Sequence, residues 1–93
     1  MTLPVTHVVF TRARPEEEAR GLLGYAMVTF DDGLDVDGVT VHLTREGKYS
    51  ISFRKIRDRV GIGRFIARPR NPAARDAIEN QVLAELRKQR HLA

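Results

Sequence analysis

The sequence predicts an α+β fold, in which a curved antiparallel β-sheet of four to five strands, a meander, is packed by a C-terminal α-helix. Three observations lead to this prediction. Apolar and polar residues alternate in several short segments before residue 54, as is typical of strands with one buried face. Asp32-Gly33 and Glu46-Gly47 separate successive segments with turn chemistry. Beyond residue 71 the apolar residues recur at helical spacing instead. A chain of 93 residues forms a single domain, residues 1–93.

The strands are predicted from their β-branched content and their alternation. Ala26, Val28 and Phe30 fall on one face of the second strand. Gly38 interrupts the third strand, where it predicts a bulge. The segment 12–21 carries charges of both signs and a proline, so an exposed connection is expected there. The predicted strands cover residues 5–11, 22–30, 34–44 and 49–54, with a short fifth strand at residues 65–67.

The helix is predicted from its start signal and its apolar stripe. Asn71 is a favourable N-cap, and Pro72 suits the first helical position. From there Ile78, Val82 and Leu86 recur every four residues, after Ala74 and beside Leu83. This pattern predicts a helix of about 18 residues with one face on the sheet.

Composition excludes several classes of function. The chain has no cysteine, so it holds neither a disulfide nor a thiolate metal site. No apolar run approaches the roughly 18 residues of a membrane span. The N-terminal residues lack the pattern of a secretory signal. A cytoplasmic protein with no membrane partner is therefore expected.

The sequence contains no complete catalytic or metal-binding motif. Asp35-Val36-Asp37-Gly38-Val39 resembles the nucleophile motif of haloacid-dehalogenase-like phosphatases, but that chemistry needs a parallel sheet and further residues that a short meander cannot supply. Acids flanking a turn are the simpler interpretation. The histidines show no metal-ligand spacing, and no Ser/His/Asp or Cys/His set can be assembled. We expect no enzymatic activity, no cofactor, no metal and no small-molecule substrate.

Positive charge is concentrated in residues 51–70, here called the basic stretch. Seven arginines and lysines stand there against one acid, Asp58. The whole chain is polarised in the same sense: residues 1–47 hold four basic residues against eight acids, whereas residues 48–93 hold twelve against four. Arginine binds phosphate in a bidentate manner, so the basic stretch predicts nucleic-acid binding. A solvated arginine-rich loop and a module that docks an acidic protein partner are the alternatives.

The order of these elements resembles the SpoVG family (stage V sporulation protein G, a septation regulator). The resemblance spans about residues 5–87. It rests on Ala26-x-Val28-Thr29-Phe30-Asp31, on Gly47 before Tyr49-Ser50-Ile51-Ser52-Phe53, on Arg68-Pro69-x-Asn71, and on Arg75-x-x-Ile78-x-x-x-Val82-Leu83. The chain departs from the family at Arg54, where the family usually has proline. This departure leaves the strand free to continue and adds a positive charge.

The resemblance implies a small homodimer that binds DNA and also RNA. Members of the family regulate gene expression and, in some bacteria, septation and sporulation. Carried over by position, the nucleic-acid-binding residues are Arg54, Lys55, Arg57, Arg59, Arg64, Arg68, Arg70 and Arg75. The positive N-terminal end of the helix would also favour a phosphate.

Overall fold

The computed structural model describes residues 3–57 and 59–93, and it confirms the α+β fold with a four-stranded antiparallel meander and a C-terminal helix. The four strands of the sheet lie in chain order, β1-β2-β3-β4. The elements are β1 (Val5–Arg12), α1 (Pro15–Glu18), β2 (Leu22–Phe30), β3 (Leu34–Leu43), β4 (Tyr49–Ser52), β5 (Lys55–Arg57), β6 (Gly63–Phe65) and α2 (Pro72–Lys88).

The core lies between α2 and one face of the sheet. The predicted face of β2, with Ala26, Val28 and Phe30, is buried there. Most of the predicted helical stripe is buried as well: Ile78, Val82, Leu83 and Leu86 belong to the core, whereas Ala74 is only half-buried. Alternation along the strands and four-residue spacing along the helix therefore identified the two surfaces that pack together.

The bulge predicted at Gly38 is confirmed. Ala26 pairs with Val39 and Val28 pairs with Val36, so β3 has one more residue than β2 over this interval. Gly38 has φ of 72°, a conformation that costs glycine little. The bulge returns Val39 to the buried face after Val36.

The first hairpin turn differs from the prediction. Asp31 and Asp32 adopt the left-handed conformation, with φ of 50° and 52°, and the Gly33 N–H donates to the Phe30 carbonyl at 2.9 Å. Two consecutive residues with positive φ form the turn that matches strand twist in a hairpin. Aspartate tolerates this conformation better than most residues do, so Asp31-Asp32, not Asp32-Gly33, supplies it.

The helix starts as predicted. The Asn71 Oδ1 accepts a hydrogen bond from the Ala74 N–H at 2.8 Å, and Pro72 is the first helical residue. This bond satisfies one of the amide groups that a helix start leaves without an intrahelical partner. The 17 residues of α2 then cross the sheet and end in the last turn with Arg87 and Lys88.

Side chains of α2 also bond to the backbone of both edge strands. On β4, the Ile51 N–H donates to Glu79 Oε2 at 3.2 Å, and the Ile51 carbonyl accepts from Arg75 Nη2 at 2.9 Å. On the other edge, Gln81 accepts from the Val5 N–H at 2.8 Å and donates to the Leu3 carbonyl at 3.3 Å. Each of these contacts occupies backbone groups that a neighbouring strand would otherwise pair with.

Two segments of the chain differ from the expected arrangement. The connection 12–21 contains the short helix α1, which Pro15 begins, and β1 continues to Arg12. The fifth strand was predicted at residues 65–67 of the main sheet. Instead, β6 ends at Phe65 and pairs with β5 in a separate two-stranded sheet. Within the described residues, no helix combines the length and apolar character needed to cross a membrane.

Candidate nucleic-acid interface

Within the basic stretch, β5 and β6 pair as a two-stranded hairpin, here called the arm, which comprises Lys55–Arg57, Gly63–Phe65 and the described residues 59–62 between them. Lys55 pairs with Phe65, Ile56 with Arg64, and Arg57 with Gly63. Because side chains alternate along a strand, Lys55, Arg57 and Phe65 share one face of the arm. Ile56 and Arg64 lie on the other.

The Lys55 side chain lies along the first of these faces. Its Nζ lies 5.2 Å from the centre of the Phe65 ring. A Cβ added at Gly63 would come within 2.7 Å of the Lys55 Cε, so the absence of a side chain at Gly63 makes room for the lysine stem. Arg68 approaches the same ring, with its Cζ at 5.7 Å. Two cations are therefore held at one exposed aromatic ring.

Between the arm, β4 and the start of α2 lies a cavity of about 550 Å³, here called the cleft. It is an open surface cavity in which apolar and basic side chains alternate. Its lining residues are Ile51, Ser52, Phe53, Lys55, Phe65, Arg68, Pro69, Asn71, Pro72 and Arg75. The cleft thus brings together three of the eight predicted site residues, Lys55, Arg68 and Arg75.

The other predicted residues are distributed around the cleft. Arg64 lies beside it, in a shallow depression shared with Lys55 and Arg68. Arg57 closes β5 and Arg59 follows in the turn of the arm, and both are exposed. Arg70 lines a different groove, along the first turns of α2.

Arg54 is separated from this group. It lies in a cavity with Asp35 and Asp37, and its side chain covers Gly38, where an added Cβ would approach its Cδ within 3.2 Å. The physical reason is strand alternation, because consecutive residues of an extended chain point in opposite directions. Lys55 turns toward the cleft, so Arg54 turns toward the acidic half of the chain.

Arg75 differs from the rest because its guanidinium already has protein partners. Nη1 lies 3.0 Å from Glu79 Oε2, and Nη2 donates to the Ile51 carbonyl and, at 3.2 Å, to Ser50 Oγ. These contacts tie α2 to β4. Arg75 lines the cleft with a side chain that is 41% exposed, but most of its donors are engaged.

Most other predicted cations have no such partner. No described carboxylate lies within ion-pair distance of Arg54, Lys55, Arg57, Arg59, Arg68 or Arg70. Like charges repel one another unless a counter-charge approaches. Arg54 aside, these residues therefore form an accumulation of positive charge on the arm and before α2, without a described acidic partner.

Phe65 is the site feature that sequence reasoning missed. Its side chain is 43% exposed, whereas Phe53, also in the cleft, packs partly against the core. The signal in the sequence was the position of an aromatic residue between Arg64 and Arg68. Over the described ranges, no group of histidine, aspartate and glutamate side chains could hold a metal ion.

In comparisons with known proteins, no family model matches the chain. No curated protein matches it either.

Proposed function

We propose that this protein binds nucleic acid through the arm and the cleft. The observation that carries the proposal is a set of exposed cations on the arm and just before α2 that have no described acidic partner, namely Lys55, Arg57, Arg59, Arg68 and Arg70. Lysine and arginine side chains supply most of the contacts that proteins make to phosphates. The N-terminal end of α2 adds the positive end of its dipole on the same side.

The resemblance to the SpoVG family supports the same function and extends it. On that basis we propose a homodimeric regulator of gene expression, of the kind linked to septation and sporulation. By this resemblance, the arm corresponds to the family's basic loop. Of the residues carried over by position, the geometry favours Lys55, Arg57, Arg59, Arg64 and Arg68 most, because they share the arm and its base.

Mobility shifts with random-sequence pools of DNA and RNA test the proposal. Non-specific sites have dissociation constants of about 10⁻⁴–10⁻⁶ M at physiological salt, and affinity rises as salt falls. At low salt the protein should therefore shift at least one pool at micromolar concentrations. Failure to shift either pool with about 100 µM protein would refute the proposal.

A protein-interaction module is the second candidate, and one observation favours it. The arm also exposes large apolar side chains, among them Ile56 and Ile62, and exposed apolar groups on a basic surface suit an acidic protein partner with some apolar contact. Both functions depend on charge, so salt dependence separates them poorly. Competition does separate them. If the arm binds phosphates, excess non-specific nucleic acid should occupy it. If the arm binds a protein partner instead, that partner should stay bound when the nucleic acid is added.

A further inference from the structure

We propose that the cleft holds one unstacked nucleobase together with its phosphate, so that the protein prefers single-stranded nucleic acid to a duplex. This inference rests on the proposed function and specifies its substrate class. It is carried by the shape of the cleft and by the position of Phe65 within it.

The size and chemistry of the cleft suit one nucleotide. Ligand pockets in proteins usually measure about 300–1,000 Å³, and the cleft measures about 550 Å³. Ile51, Phe53, Pro69 and Pro72 give it apolar walls. Such walls suit the faces of a base and offer nothing to a phosphate.

Phe65 provides an aromatic surface at the cleft. A phenylalanine ring has no polar group, so its 43% exposure leaves apolar surface in contact with water. A stacked base would cover that surface. Lys55 and Arg68 lie over the same ring, so a base that stacks on it comes within reach of both cations.

The phosphate partners are the cations next to the ring. Lys55 and Arg68 line the cleft, and neither has a described acidic partner. The start of α2, at Asn71 and Pro72, borders the same space and places the positive end of the helix dipole there. Base and phosphate would thus be bound by different parts of one cavity.

A duplex satisfies only half of this arrangement. Its phosphates can contact the arm, but its bases remain stacked and paired, and taking one out costs energy. Bases of a single strand are already available for stacking on aromatic side chains. The cleft therefore adds affinity for single strands beyond what charge alone provides.

Fluorescence anisotropy with three labelled 15-mers tests the inference: oligo(dT), the same strand without bases, and a duplex. The parent protein should bind oligo(dT) more tightly than the abasic strand. Phe65→Ala keeps the net charge, so it should weaken oligo(dT) binding by about five- to a hundredfold, the range expected when one base loses its stacking partner. Duplex affinity and the salt dependence should stay the same. Phe65→Tyr should retain tight binding because it keeps the ring.

Ile66→Ala is the matched control. Ile66 is the next residue along the chain, is 70% exposed, and lies outside the cleft, beside Arg54. It should leave oligo(dT) binding unchanged. The inference is wrong if Phe65→Ala weakens the binding of oligo(dT) and of the duplex equally, or weakens neither. It is also wrong if the parent binds the abasic strand as tightly as oligo(dT). In each of these cases nucleic-acid binding itself stands. If the parent binds none of the three probes, the proposed function itself fails.

Discussion

Arg75 shows how one arginine among many acquires a structural role. Its guanidinium contacts the Ile51 carbonyl and the Glu79 carboxylate, and Glu79 in turn accepts from the Ile51 N–H. Arg75 and Glu79 together therefore bond to both backbone groups of Ile51, as a neighbouring strand would. The sequence placed Arg75 with the binding residues because it shows charge and not hydrogen-bond partners.

Arg75→Ala should lower the free energy of unfolding by about 1–2 kcal/mol, because it removes hydrogen bonds from a charged donor in a partly solvated setting. Arg70→Ala, which removes the same charge nearby, should change it by no more than about 0.5 kcal/mol. Urea unfolding of both variants measures the difference. Equal effects would show that the contacts of Arg75 contribute nothing measurable.

A second residue-scale interaction joins α1 to the outer face of the sheet. The Tyr25 hydroxyl donates to Glu17 Oε2 at 2.9 Å. This hydrogen bond, with a further one from the Arg14 backbone, lowers the pKa of Glu17. The same bond, with burial and the charge of Glu17, raises the pKa of Tyr25.

These two shifts define a pH window. Because the pKa of Glu17 is lower in the folded protein, the interaction stabilises the fold at pH values above the pKa of the unfolded state. This stability is lost as pH falls through the pKa of the folded state. Because the pKa of Tyr25 is higher in the folded protein, the interaction also stabilises the fold at pH values below the pKa of the unfolded state. This stability is lost as pH rises through the pKa of the folded state. The interaction should therefore contribute fully from the ordinary pKa of a glutamate, 4.5, to that of a tyrosine, 10.0, and be lost beyond the shifted values on either side. Glu17→Gln should return the pKa of Tyr25 toward that of an ordinary tyrosine, as followed by NMR titration of labelled tyrosine in the variant and the parent. An unchanged Tyr25 titration would contradict the assignment.

At the scale of elements, the long and strongly patterned segments were predictable, and the short ones were not. β2 has the predicted bounds, and α2 begins at the predicted cap. Both are long enough to show a period. The strands of the arm have three residues each, too few for alternation to appear, and Gly61 and Gly63 indicated only a turn. The helix α1 did have a signal, since Pro15 is followed by three glutamates, a favourable first turn.

The candidate site was predictable as a charged region but not as a cavity. A run of arginines is visible in any sequence, whereas the cleft exists because the arm folds back beside β4 and α2. The pairing of Lys55 with Phe65 depends on a hairpin that the sequence did not predict. The separation of Arg54 from Lys55 follows from alternation, which could have been applied had a strand been recognised there.

If the arm binds phosphates, replacing Arg57 and Arg59 together with alanine should reduce the salt dependence of binding. The slope of log K against log salt should fall by about 0.9 for each phosphate that the variant no longer neutralises, and we expect about one to two such phosphates per site. Binding should weaken similarly on all sequences. The matched control is Arg45→Ala with Lys48→Ala, which removes two exposed charges from the turn between β3 and β4. Parallel titrations at several salt concentrations decide the matter, and identical slopes for the Arg57/Arg59 variant and the parent would exclude both residues.

On the scale of the whole molecule, exposed apolar side chains favour the expectation that the protein pairs with a second copy. The arm carries apolar side chains at its surface, and the outer face of the sheet exposes Val9 and Tyr25. The edge strands leave fewer backbone groups for pairing with a second sheet, because α2 side chains already bond to parts of both. We therefore expect a dimer that buries apolar side chains, rather than one that extends the sheet.

Light scattering measures this directly. A dimer has twice the 10.5 kDa mass of the chain, and it should predominate at about 10–50 µM protein, a concentration well above the micromolar dissociation constants of modest interfaces. Raising the salt concentration should leave an apolar dimer intact. A mass of one chain at these concentrations would contradict the expectation.

The bonds from α2 to the two edge strands also link the helix to the solubility of the protein. Glu79 and Arg75 occupy one edge, and Gln81 occupies the other. All three side chains project from one continuous helix. Undocking of α2 would therefore release backbone groups on both edges of the sheet in the same event, together with the apolar face that it covers. Unpaired groups on a sheet edge can add strands from other molecules. The helix that completes the core thus also occupies part of the surface through which this sheet could add strands.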